Sequence, residues 1–155
     1  MTVTGGSRIC ALWALSLVAI ALLATAPPLL AQGTAPVSII VNEANPLDTM
    51  ERSDVIRAFL GQTALWQDET RVRPVDQSMA SRVRKEFSEH ILGQSLLGVK
   101  SYWQQQVFSG RAVPPPVKET EAEVLAFVAG TAGAIGYVSA NVELPPSVKT
   151  VELLE

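Results

Sequence analysis

The sequence holds a single cysteine and a single histidine in 155 residues, and aromatic residues make up only 6% of it. Cys10 has no second thiol to pair with, so a disulfide framework is excluded and the domain must be held by its core. It also lies too near the start to be a lipidated cysteine behind a full export signal. Metal-ligating clusters, a cysteine nucleophile, a glycine-rich nucleotide loop and a serine-hydrolase elbow are all missing. The sequence therefore calls for no cofactor and no metal, and an enzyme is a poor reading. Positive charge is also scarce: 12 basic residues stand against 15 acidic ones, a net charge of −3, which argues against nucleic acid or an acidic membrane surface as partner. Internal repeats and low-complexity tracts are absent.

Long apolar runs are missing except at the N-terminus. Arg8 is the only charge before Glu43, and Cys10 to Ala26 is apolar but for Ser16 and Thr25. A basic start, a short apolar run and a small residue at its end describe a secretory signal peptide over residues 1–31, cut after Ala31. The run is short for a spanning helix, which needs about 20 residues, although an uncleaved anchor is the competing reading. Cleavage leaves residues 32–155 as one mature domain in the periplasm, free of the membrane. Without Arg8 it carries 11 basic and 15 acidic residues, a net charge of −4.

Strand and helix signals interleave along the mature part. Val37 to Val41 is β-branched and nearly continuous, as in a strand buried on both faces. Met50 to Leu60 reads as a helix with Val55, Ile56 and Phe59 on one side. Arg71 to Val75 reads as a strand. Leu96, Val99, Trp103 and Val107 mark the buried stripe of a helix capped by Ser95. Thr120 to Glu123 fits a capping box opening a helix that ends at Gly130. Gly133 to Val138 reads as a tight turn into a strand, and Val148 to Leu153 as a last one. This order predicts a single-domain α/β sandwich, a small and mostly parallel sheet flanked by helices.

Arg71 to Leu92 is the stretch with the clearest chemistry. Val83, Phe87 and Ile91 recur every four residues, the face of a helix. Asp76, Ser78 and Ser81 are candidate caps at its start. Arg82, Arg84 and Lys85 crowd that same end, where cations oppose the helix macrodipole. A bound oxyanion reverses the sign, because free N–H groups, dipole and arginine then converge on one charge. A solvated basic face is the competing reading. Asn42 and Asn45 follow the first strand, at the kind of sheet crevice where ligands sit. His90, beside Glu89, reads as a surface histidine. Glu119, Glu121 and Glu123 read as helix-start acids, and Trp66, Tyr102 and Trp103 as core or as pocket lining.

Four stretches, in order, resemble the periplasmic phosphate-binding proteins that feed ABC importers. They are Ala58-Phe59-Leu60-Gly61 with Trp66-Gln67-Asp68; Ser81-Arg82-Val83-Arg84-Lys85-Glu86-Phe87; Tyr102-Trp103 with Phe108-Ser109-Gly110; and Gly133-Ala134-Ile135-Gly136-Tyr137. The resemblance spans about Val37 to Val138. It implies a type II substrate-binding fold, the later part of a two-lobed protein reduced to one domain. It also implies an exported carrier of inorganic phosphate or a similar oxyanion, with an ABC permease or another envelope complex as partner and room for a homo-oligomer. Ser81 and Arg84 match the family's phosphate segment, with Ser78, Asn45 and Asn42 as further candidates. Arg82 and Val83 stand where the family has glycine and threonine. A ligand-free interaction module on the same fold is the alternative.

Overall fold

The structure, a computed structural model, describes residues 37–155, so the expected signal peptide lies outside the described residues. Val37–Asn42 forms β1, and its alternation sorts the core into two layers. Ile39 and Val41 point to one side and Ile40 to the other, as successive strand residues must. On the first side they meet Phe59, Phe87, Trp103, Tyr137 and Val151; on the second, Ile40 meets Val75, Val124, Val128, Val138 and Val148.

The remaining elements are β2 (Thr49–Glu51), α1 (Arg52–Phe59), β3 (Arg73–Pro74), β4 (Asp76–Gln77) and α2 (Arg82–Glu86). A π-helical turn over Phe87–Ile91, α3 (Leu96–Phe108), β5 (Val117–Lys118), α4 (Glu121–Gly130), β6 (Ala134–Ser139) and β7 (Val148–Leu154) follow. Five strands form one sheet in the order β2-β7-β1-β6-β3, and β4 and β5 form a two-stranded ribbon. α4 covers one face, while α1, the π turn and α3 cover the other. The α/β sandwich is as expected, but the sheet is mixed instead of mostly parallel. β1 pairs antiparallel with both β6 and β7, and the parallel pairs, β2 with β7 and β3 with β6, lie at the edges. Sequence-adjacent βα units are therefore not sheet neighbours at its centre.

Three local differences follow from packing. Met50 lies in edge strand β2, not in a helix, and is buried there against the sheet. The strand expected over Arg71 to Val75 is regular only at Arg73–Pro74. Val75 donates to Ile135 O at 2.9 Å, and Asp76 then donates to Pro116 O at 2.9 Å, so the chain leaves the main sheet for the ribbon within one residue. The helix from Ser81 carries an extra residue at the π turn, where Leu92 N–H reaches back to Phe87 O at 3.1 Å. That moves Leu92 into the core and leaves Ile91 half-buried. Arg52 closes the turn by donating to Ile91 O at 3.0 Å and to His90 O.

Gly136 sits under α4: a Cβ there meets Val124, Val75 and Val128 side chains at 3.0–3.2 Å. Its absence lets the helix settle directly on the central strands. The capping box at the start of α4 is complete, with Thr120 and Glu123 each serving the other's backbone N–H. Glu121 is tied down as well, accepting from Ser139 Oγ at 2.8 Å. Among the described residues, no helix is long and apolar enough to cross a membrane.

Candidate functional site

Ser81 caps α2 as expected, accepting from Arg84 N–H at 3.3 Å. Its hydroxyl also donates to Gln77 Oε1 at 2.7 Å, so both of its roles are internal. Gln77 in turn donates from Nε2 to Tyr137 O at 2.7 Å. This fixes the start of α2 against β6.

Arg84 departs furthest from a solvated basic face, being 7% exposed. Its Nη2 pairs with Asp76 Oδ2 at 2.7 Å, and its Nη1 donates to Gln77 O. Asp76, a candidate cap from sequence, is the counterion. Its other oxygen accepts from Gln77 N–H at 2.8 Å and from the Tyr137 hydroxyl. Burial first, then the Asp76 charge and its hydrogen bond, push the Tyr137 hydroxyl far above the ordinary phenol range. The phenol is therefore a fixed donor. Its ring stacks on Phe87 with centroids 3.9 Å apart and 4° between planes, and Phe59 meets Phe87 edge-on at 4.7 Å. Such aromatic pairs add about 0.5–1.5 kcal/mol beyond area burial. One bond of the guanidinium is unmade: Arg84 Nε is buried without a hydrogen-bond partner.

A groove of about 510 Å³ opens above this pair, with Asp76 and Arg84 in its wall. α3 supplies one side through Lys100, Trp103, Val107 and Phe108, and Pro114 and Pro115 supply part of the other. Val107 was expected in the buried stripe of α3. Instead it is 54% exposed and Phe108 is 96% exposed, because among the described residues no element covers that end of α3 beside the groove.

The other candidates fall elsewhere. Ser78 is half-buried beside Ser81, its backbone N–H on Lys118 O at 2.9 Å and its carbonyl accepting from Ser81 N–H at 2.9 Å. Asn42 and Asn45 are not brought to the site. Asn42 donates to Val128 O at 2.8 Å and Ala129 O at 3.0 Å, capping α4; Asn45 accepts from Leu47 N–H at 2.9 Å. Asn42 adjoins the start of β6, whereas Gln77 binds at Tyr137, roughly 10 Å further along that strand. The physical reason is the antiparallel β1–β6 pairing, which sends the end of β1 away from α2. His90 is exposed, with Nε2 3.2 Å from Glu86. Trp66 is core, its indole donating to Gly133 O at 2.8 Å, and Tyr102 donates to Leu60 O at 2.8 Å. Among the described residues no cluster of His, Cys, Asp and Glu could hold a metal ion.

Solved structures of similar shape exist. An ABC-type phosphate transport receptor from Vibrio cholerae superposes with a TM-score of 0.58 at 21% identity, covering 76% of this chain and 45% of that one. The chain has the fold of one lobe of these phosphate receptors. A phosphate ABC transporter substrate-binding protein from Clostridium perfringens, with bound phosphate, gives a TM-score of 0.60 at 20% identity over 76% of this chain and 44% of that one. The chain thus spans less than half the length of these two solved proteins. No protein-family model and no curated protein matches the sequence.

Proposed function

We propose that this chain is an exported anion-binding protein, built on the fold of one receptor lobe, that takes a hydrogen phosphate ion at Arg84 and presents it to an ABC permease or another envelope complex. The observation that carries this reading is that Arg84, a residue of the groove wall, keeps a buried Nε–H without a hydrogen-bond partner. The fold it shares with a phosphate-bound protein is consistent with that placement. Asp76 sets the terms of recognition. A bare dianion beside its carboxylate is repelled, while an oxyanion that still carries a proton can donate to Asp76 Oδ2. Hydrogen phosphate has that proton at neutral pH and sulfate does not. With Arg84 already neutralised by Asp76 and the groove open among the described residues, affinity is expected at roughly millimolar to high-micromolar, about 4–6 kcal/mol.

Calorimetric titration of the mature domain tests this. Phosphate should bind in that range and sulfate at least tenfold more weakly. Arg84→Lys should weaken phosphate binding, whereas Arg57→Ala, in an exposed ion pair with Asp54 on α1, should leave it unchanged. No binding at millimolar phosphate would leave the second reading, a ligand-free interaction module. The closed Asp76–Arg84 pair favours that reading. Export is checked separately: mass spectrometry of secreted protein should show a mature start at Gln32, and a retained Met1 would refute cleavage.

A further inference from the structure

The groove is far larger and more apolar than an inorganic ion requires. Its volume of about 510 Å³ lies within the range of small-molecule sites, about 300–1,000 Å³. Trp103, Val107, Phe108, Pro114 and Val117 give it hydrocarbon walls. Phe108 is almost wholly exposed there, with Val107 and Val117 more than half exposed, a concentration of apolar surface that usually marks a contact site. Polar character comes from the Asp76–Arg84 pair in the wall and from Lys100 and Gln104 on α3. At the wall the Asp76–Arg84 pair is closed to a net charge of zero. On α3, Lys100 lines the groove and is exposed, and no carboxylate pairs with it among the described residues. The groove therefore offers a long apolar surface, a neutral pair and one unpaired cation.

We infer that the groove binds an amphipathic anion, an apolar chain or ring bearing one carboxylate. The hydrocarbon lies between Trp103, Phe108 and the proline wall, and the carboxylate meets the Lys100 ammonium. The head does not go to Arg84, because an unprotonated carboxylate has no hydrogen to offer Asp76. This rests on the same crevice being the ligand site and adds a second class of ligand to it, a fatty or aromatic acid seated on Lys100 and the apolar walls, beside the Arg84 position proposed for phosphate.

Decanoate, octanoate, 1-decanol and inorganic phosphate, each titrated against the mature domain with calorimetry and with tryptophan fluorescence in a Trp66→Phe background, test it. Decanoate should bind about tenfold or more tightly than octanoate, since each methylene removed from water contributes roughly fourfold. Lys100→Gln should weaken decanoate at least fivefold and leave 1-decanol unchanged. Phe108→Ser should weaken both, and neither exposed change should alter the circular dichroism. Decanoate binding without phosphate binding would uphold this inference and overturn the phosphate reading. Phosphate binding without decanoate binding would do the reverse. Affinity independent of chain length, or Lys100→Gln without effect, would overturn the inference. So would a concentration-dependent dimer in sedimentation that decanoate cannot dissociate, since a second copy would then be the groove's occupant.

Discussion

Replacing Arg84 with alanine is expected to lower the unfolding free energy by about 3–5 kcal/mol, the range for stripping one partner from a buried ion pair. Both side chains are enclosed, at 8% and 11% exposure, so Asp76 would keep its charge with little water to solvate it. The Gln77 carbonyl would lose a donor at the same time. Asp76→Asn in the Arg84→Ala background removes the stranded charge and should recover a coupling energy of about 1–3 kcal/mol. Urea denaturation of the wild type, both single variants and the double variant measures this cycle. A loss below about 1 kcal/mol for Arg84→Ala would show that the pair does not hold α2 against β4. The same measurement at high pH reads the phenol. Unfolded tyrosine loses its proton near pH 10, while burial and Asp76 hold the Tyr137 proton in the folded protein. A raised folded pKa contributes stability fully below the unfolded value, so stability should fall as pH rises past about 10, and Tyr137→Phe should lack that decline.

The second large effect concerns Gly133. Its φ is +74°, and a Cβ added there would stand 2.2 Å from the Arg71 carbonyl oxygen and 2.8 Å from Thr70 Cγ2. A left-handed alanine alone costs about 1–2 kcal/mol. Here the backbone of the neighbouring segment must move as well, breaking the bonds that Gly133 O accepts from Arg73 N–H and the Trp66 indole. β6 starts at the next residue, so the shift passes into the central strands. Gly133→Ala is expected to destabilise by roughly 3 kcal/mol or more. Gly93 and Gly110 have nearly the same φ, +66° each, with nothing within 4 Å of an added Cβ. Alanine at either should cost only about 1–2 kcal/mol. Equal losses at all three positions would mean that backbone conformation, and not the collision with Arg71, decides.

Elements defined by local signals were legible in the sequence. The β-branched run at Val37, the Thr120–Glu123 capping box and the glycine turn before Ile135 each carry their own geometry, and each element forms where its signal lies. What escaped depends on distant partners. Met50 reads as helical by pattern, but edge strand β2 forms because β7 lies beside it. The π turn joins Leu92 N–H to Phe87 O and is closed by Arg52, a distant residue on α1, which no four-residue periodicity records. Arg84 was legible as a special arginine, yet its burial was not. Three cations in four residues look solvated until Asp76, eight positions earlier, is seen to face one of them. The two asparagines were placed by a rule for parallel sheets, and the antiparallel centre removes its premise.

The central strand has a consequence for how the chain acquires its structure. Among the described residues β1 is the first strand in order, and its two neighbours are the last two, with Val37 opposite Ser139 and Asn42 opposite Val148. Every ladder bond at the middle of the sheet thus joins residues about a hundred positions apart. High contact order of this kind slows folding, because loop-closure entropy opposes each such contact before it forms. Synthesis also delays the event, since β1 has no partner until β6 and β7 have been made. A nascent chain is held in this uncommitted state until the strands that flank β1 have been made.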